Sequence, residues 1–391
     1  MSKRGRSDVA EDLEAPLSKK PAPSPSPTTT PPSESSQPDL HALLDFTSLT
    51  THPEISTRFD QIASSLLYDY RISITNGATV TEFEILELEC YLHKVGCHED
   101  PFTRGAEEQR KSGLWYFHRA PRRFQPSTSQ VTRAPTAAGG YRGGTRKGLD
   151  ITFGSPLLLS SPYFASSSTT KPPSTAPPST TTRGGVLFRT IRRVKDQKLI
   201  SGPSLLVDEV LRLSKADSIS QLVDTIWGGN ISAFSPPSSS PSFMSLQRMS
   251  DPKKSTPPPR IHKSPRIGLD LSHPETTASM THPRVVYVTK QYRYFTNPHL
   301  LVANGRAHTF LGVYLECDKN SELSDDEAAM SQELVRLTGL KGPTVSKYLD
   351  EYKAGYRSDK LTSFIGAKGK GASSAPATLL KMMGCLDRLA H

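Results

Sequence analysis

Apolar residues along the chain recur in short patterned runs separated by polar stretches. From Arg58, the residues Phe59, Ile62, Ala63, Leu66 and Leu67 fall at i, i+3, i+4, i+7 and i+8, the stripe of an amphipathic helix. A hairpin is predicted next. Tyr70, Ile72 and Ile74 alternate, Asn76-Gly77 tolerates the positive φ of a tight turn, and Val80 to Tyr91 returns as a second extended run. Further strands are predicted at Leu114 to His118, Leu149 to Phe153, Gly185 to Ile191, Val285 to Phe295 and Thr309 to Glu316. Helices are predicted at Pro203 to Leu213, where the proline suits a first turn, and at Ser218 to Ile226. Beyond Ser321 the pattern turns helical. Ser324-Asp325-Asp326-Glu327 has capping-box spacing before a helix through Leu337, and Thr344 to Tyr352 and Ala377 to Leu389 are further helices. The stretch GLKGPTVSKYLDEY has a faint helix-turn-helix flavour.

Between these runs lie Pro/Ser/Arg-rich interruptions near 120–140, 160–183 and 234–259. They read as loop insertions in one domain, because loop-closure entropy grows only logarithmically with length. Pro21 to Pro38 is likewise too poor in apolar residues to offset the cost of ordering its backbone. The expected organisation is a disordered tail over 1–52, one strand-rich domain over 53–320 and a helical extension over 321–391.

No run approaches the roughly eighteen apolar residues of a membrane span, and the amino terminus lacks the apolar core of a signal peptide. A soluble intracellular protein without membrane contact is expected. KRGR at Lys3 to Arg6 and Lys19-Lys20 are spaced like a two-part nuclear import signal, which makes the nucleus the expected location. Cys90, Cys97, Cys317 and Cys385 lack C-x-x-C spacing, and His98-Glu99-Asp100 has only His93 nearby to extend it, so no metal is expected.

A net charge of +10 points to nucleic acid or another anionic surface. Arg183, Arg189, Arg192, Arg193, Lys195 and Lys198 surround the apolar run GVLF, and Tyr141, Arg142, Arg146 and Lys147 form a second basic group with an aromatic. Tyr141, Arg142, Arg146, Lys147, Arg192 and Arg193 are the candidate phosphate contacts. The segment EILELECYLHKVGCHEDPFTRG is also informative, because carboxylates at Glu84, Glu87 and Glu89 in an apolar strand are costly unless paired, at a rim or functional. Period two puts Glu87 and Glu89 on one face.

The order of motifs resembles the 3-methyladenine (alkyladenine) DNA glycosylase family, which removes damaged purines from DNA. ELECYL at Glu87 to Leu92 is similar to that family's glutamate-x-glutamate-alanine-tyrosine strand, and His98 follows as its pocket histidine does. GLWYFH, GLDITF, GGVLFRTI and SGPSLLVDEVL then resemble its aromatic strand, its asparagine strand, its arginine strand and its serine-glycine-proline helix start. SPRIGLD and YRYFTNP are similar to its closing segments.

The resemblance implies an α+β fold with a curved, mainly antiparallel sheet and flanking helices. It also implies base-excision chemistry without metal or organic cofactor, in which water attacks C1′ of a flipped nucleotide carrying a damaged purine. Glu89 is then the general base, Arg189 holds it, and the Ile267 carbonyl completes the water site. Tyr91 stacks on the extruded base and His98 meets its face or edge. The chain departs from the family at His118, or else Phe117, where a second stacking tyrosine is expected, and at Asp150, where the family has an asparagine that screens against guanine's amino group. No clear wedge residue stands in YRGGTRKG; Tyr141 and Arg142 are the substitutes. The alternative is a nucleic-acid-binding protein on the same fold that does not excise bases.

Overall fold

The computed structural model of the chain describes residues 39–103, 106–120, 140–154, 182–235, 240–249, 257–301, 303–319, 326–358 and 360–391. The import-signal residues, Ser324 and the greater part of the expected insertions lie outside them. The described part is an α+β fold on a ten-stranded sheet whose strand pairings are antiparallel.

The fold begins earlier than expected, which corrects the tail boundary at residue 52. Helix α1 (Leu40–Leu43) buries Leu40 and Leu43, and Leu44 and Phe46 are wholly enclosed. The buried Lys94 ammonium secures this stretch by donating to the carbonyls of Phe46 at 2.7 Å, Thr47 at 2.9 Å and Leu49. Helix α2 (His52–Tyr68) also starts before Arg58. Thr51 and Glu54 form a reciprocal capping box and a proline occupies the first turn, so the start is set by polar chemistry upstream of the apolar stripe.

Strands β1 (Tyr70–Asn76) and β2 (Thr79–Lys94) make the expected hairpin, with Gly77 at φ +57° in the turn. The sheet runs in the order β4 (Trp115–Phe117), β5 (Leu149–Thr152), β6 (Thr182–Arg193), β2, β1 and β8 (Ser242–Arg248). Strand β3 (His98–Glu99) pairs with the end of β2, and β7 (Leu199–Ser201) folds back on β6. Where β1 ends, β10 (Arg293–Phe295) takes over its edge of β2 and carries β9 (His262–Ser264). Strand β8 was not anticipated: it falls within the region read as an insertion over 234–259.

Two bulges decide which way β2 and β6 point. The pairing skips Leu86 on β2 and Arg189 on β6. Before the skip Phe83 and Ile85 face the core; after it Leu88, Cys90 and Leu92 do. On β6 the core-facing set changes from Val186 and Phe188 to Ile191 in the same way. A one-residue shift exchanges the faces of a pleated strand. Glu84, Glu87 and Glu89 therefore all lie opposite the core that α2 covers.

That core joins Phe59, Ile62 and Leu66 of α2 to Ile72, Leu88, Trp115 and Phe188 of the sheet. Helix α3 (Pro203–Leu213) has its predicted bounds. Gln221–Ile226 is a π-helical turn within the expected helix from Ser218. The expected strand Val285 to Phe295 is instead helix α4 (Pro283–Val288) followed by β10, because Pro283 and a His282 side-chain cap start a helix in a β-branched run. Thr309 to Glu316 is not a strand but lies in helix α5 (Arg306–Asp318).

Helices α6 (Glu327–Thr338), α7 (Gly342–Tyr356) and α8 (Pro376–Ala390) follow. They are not a free-standing extension from 321. Leu334, Val345, Leu349, Leu380 and Leu386 share a second core with Leu271, Val285, Phe295 and Phe310. Helices α7 and α8 touch backbone to backbone: a Cβ on Gly384 would lie 2.1 Å from the Tyr352 carbonyl oxygen.

Candidate active site

The outer face of β2 and β6, beside the second core, gathers two carboxylates and two guanidinium groups. Glu87 is almost fully buried. Arg293 Nε donates to its Oε1 at 2.7 Å, Arg189 Nε lies 3.2 Å from the same oxygen, and the Thr190 hydroxyl donates to Oε2 at 2.5 Å. Burial by itself would raise the Glu87 carboxyl; Arg293, Arg189 and the Thr190 hydrogen bond together hold it below the usual carboxylate range. Arg293 is wholly enclosed and spends its other nitrogens on Ser264 Oγ at 2.9 Å and Thr309 Oγ1 at 2.8 Å. Its guanidinium also stands 4.4 Å from the centre of the Phe295 ring.

Glu89 is 4% exposed and is gripped at both oxygens. Arg189 Nη1 donates to Oε2 at 3.2 Å, and the backbone N–H of Ile267 donates to Oε1 at 2.7 Å. The structure thus brings together the three residues named as catalytic, with Ile267 meeting the carboxylate through its amide. Burial disfavours the Arg189 charge, but Glu89 and Glu87 overcome that and raise its pKa further, so it remains a cation. The first turn of α5 closes this corner, since a Cβ on Gly305 would fall 2.0 Å from Ile267 Cδ1.

Next to the carboxylates, Tyr91 lies on Gly185, where a Cβ would stand 3.0 Å from its hydroxyl oxygen. That hydroxyl donates to Asp150 Oδ2 and accepts from Gln109 Nε2 at 2.7 Å. Burial and the Asp150 charge push the Tyr91 phenol well above its ordinary value. His118 Nε2 is 3.1 Å from both oxygens of Asp150. Asp150 and His118 are therefore partners: Asp150 is fully enclosed, whereas the His118 side chain is 24% exposed. Nε2–H donates to Asp150 in this pairing.

His98 does not offer an edge to a bound base. Its Nδ1 donates to the Leu92 carbonyl at 2.8 Å and its Nε2 accepts from the Tyr292 hydroxyl at 3.0 Å, with no exposed surface. The ring packs among His52, Phe59, Tyr287 and Tyr292. Burial lowers its pKa to about 3, so it is a neutral core histidine.

The basic groups are also largely committed. Arg192 pairs with Glu84 at 2.6 Å, Arg193 with Glu209 and with Asp196 at 2.8 Å, and Lys147 with Asp208. Tyr141 is held under the Arg119 guanidinium, 3.7 Å from its ring centre, and Arg142 Nε donates to the Arg119 carbonyl at 2.8 Å. Tyr141 is thus a packed residue and not a projecting wedge. Arg146, in a short 3-10 turn over Gly144–Arg146, is exposed.

Sequence reasoning missed Arg293, Gln109, Thr190 and Thr309. Arg293 stands in the quoted YRYFTNP motif, so its position was visible even though its partner was not. Among the described residues no helix is long and apolar enough to cross a membrane.

No family model matches the chain. A stretch of 164 residues is 26% identical to an uncharacterized protein of Acanthamoeba polyphaga mimivirus, covering 42% of this chain and 61% of that protein. The chain therefore matches less than two thirds of that relative's length.

Proposed function

We propose that the protein is a monofunctional DNA N-glycosylase that hydrolyses the bond between C1′ and the base of a flipped, damaged purine nucleotide. The observation that carries this reading is Glu89: a nearly buried carboxylate with both oxygens aimed by Arg189 and the Ile267 amide, on the strand that also carries Tyr91. Water attacks C1′ as the bond to the base nitrogen breaks. Glu89 takes the water's proton, and the base leaves with the bonding electrons and acquires its proton from solvent. The carboxylate also stabilises the positive charge that develops on the sugar. Tyr91 offers its ring to the extruded base, and the partly exposed His118, held in place by Asp150, chooses among purines.

The test is to incubate the protein and Glu89→Gln with labelled single- and double-stranded oligonucleotides containing hypoxanthine, 1,N6-ethenoadenine or alkylated purines, and to measure alkali-labile abasic sites. Abasic sites from the wild type alone support the reading. DNA binding by both proteins with no abasic sites from either would replace it with a non-excising DNA-binding protein.

A further inference from the structure

We propose that the loop Gly366–Gly371 is a second DNA contact, gripping backbone phosphates beside the candidate active site through Lys368 and Lys370. It rests on the glycosylase reading of Glu89 for the position of the DNA.

The segment from Lys360 to Pro376 carries Lys360, Lys368 and Lys370 and not one Asp or Glu. Lys368 and Lys370 are both exposed, while Gly369 between them is buried. A Cβ on Gly369 would lie 1.9 Å from the Phe364 carbonyl oxygen, so the backbone is pressed inward there and its two flanking lysines stand outward on a fixed base. The loop is anchored to one place. Gly366 N–H donates to the Leu271 carbonyl at 3.0 Å, and the Ser373 hydroxyl donates to Asp270 Oδ2 at 3.3 Å.

That anchor leads directly to the site. Leu271 is four residues along the chain from Ile267, a span of at most about 14 Å of extended backbone, and the Ile267 amide is bonded to Glu89. A strand that inserts a nucleotide at Glu89 carries its neighbouring phosphates past this loop. The charge balance favours the same assignment. Arg192, Arg193 and Lys147 face Glu84, Glu209 and Asp208, whereas neither Lys368 nor Lys370 pairs with a carboxylate among the described residues. A polyanion gains most from the cations that no carboxylate has already neutralised.

The experiment titrates fluorescent duplex DNA with the full chain, with Lys368→Ala/Lys370→Ala, and with Lys353→Ala/Lys381→Ala, over about 50–200 mM salt. The last variant removes the same charge from lysines already paired with Glu327 and Glu351. Loss of two phosphate contacts flattens the slope of log affinity against log salt by about 1.8 in the first variant, leaves the control unchanged, and is reversed by Lys368→Arg/Lys370→Arg. Identical slopes in all variants overturn the proposal, even if the wild type produces abasic sites. A flattened slope with no abasic sites from any purine upholds the contact and counts against the glycosylase reading alone.

Discussion

Arg293 Nε donates to Glu87 at 2.7 Å with neither side chain reaching solvent to any useful extent. Truncating one partner of such a pair leaves the other charge buried and uncompensated, which typically costs about 3–5 kcal/mol. Arg293→Met is therefore expected to lower the denaturant midpoint severely. Thr309 and Ser264 lose their partner at the same time. A midpoint close to that of the wild type would show that Glu87 is satisfied by Arg189 and Thr190 alone.

Arg189 spans two carboxylates, with Nε near Glu87 and Nη1 on Glu89. A lysine ammonium has neither the planar fork nor the reach to do both. Under the proposed reaction, Glu89→Gln lowers the single-turnover rate by about 10²–10⁴, the range of general-base catalysis. Arg189→Lys lowers that rate too, with little change in DNA affinity, because it acts through Glu89 and not on the phosphates. Single-turnover excision and anisotropy separate the two effects.

The stability of the fold is expected to fall with acid. His98 has a folded pKa of about 3 against an ordinary 6.5, so between these values the unfolded chain binds the proton and the folded one does not. Stability is then complete above the unfolded value and declines as pH drops towards 3. From pH 7 to pH 5 the loss from this group is about 2 kcal/mol. Burial also lowers His52 and His308, which act in the same direction. Urea unfolding at pH 7 and pH 5 measures the loss, and His98→Gln is expected to reduce that difference while keeping partners for Leu92 and Tyr292.

Gly184 permits β6 to press on β2, since a Cβ there would lie 2.3 Å from the Tyr91 carbonyl oxygen. Gly184→Val is expected to cost roughly 1–3 kcal/mol through overpacking and to shift Tyr91 with it. Calorimetric unfolding measures the first effect. A fully stable Gly184→Val protein would mean that the two strands separate there without penalty.

How much of this was legible in the sequence follows from how local each signal is. Pro203 to Leu213 carried its own proline start and amphipathic stripe, and the Asn76-Gly77 hairpin its own turn chemistry. Thr309 to Glu316 misled because α5 buries every residue from Ala307 to Tyr314, leaving no polar face to reveal a helical period. It also begins at Gly305, without a Ser, Thr or Asp cap. Glu89, Arg189 and Ile267 were singled out through motif order, and the fold places them in contact. The commitment of Lys147 and Arg193 to carboxylates was hidden, because Asp208 and Glu209 approach them only when α3 packs on the sheet, and that of Arg192 because Glu84 meets it only through the register of β2 with β6.

The two bulges have a consequence for folding. The bonds that make the site, Glu89 to Arg189, Glu89 to Ile267 and Glu87 to Arg293, join residues 100, 178 and 206 positions apart. Such distant pairings form late, after the chain entropy of closing each loop has been met. A chain halted before Arg293 docks holds Glu87 and Glu89 turned away from the first core with only the Arg189 guanidinium to balance two carboxylates. The carboxylates on which the proposed chemistry depends therefore oppose collapse until the last strand arrives, and the completed site is a sensitive report of complete folding.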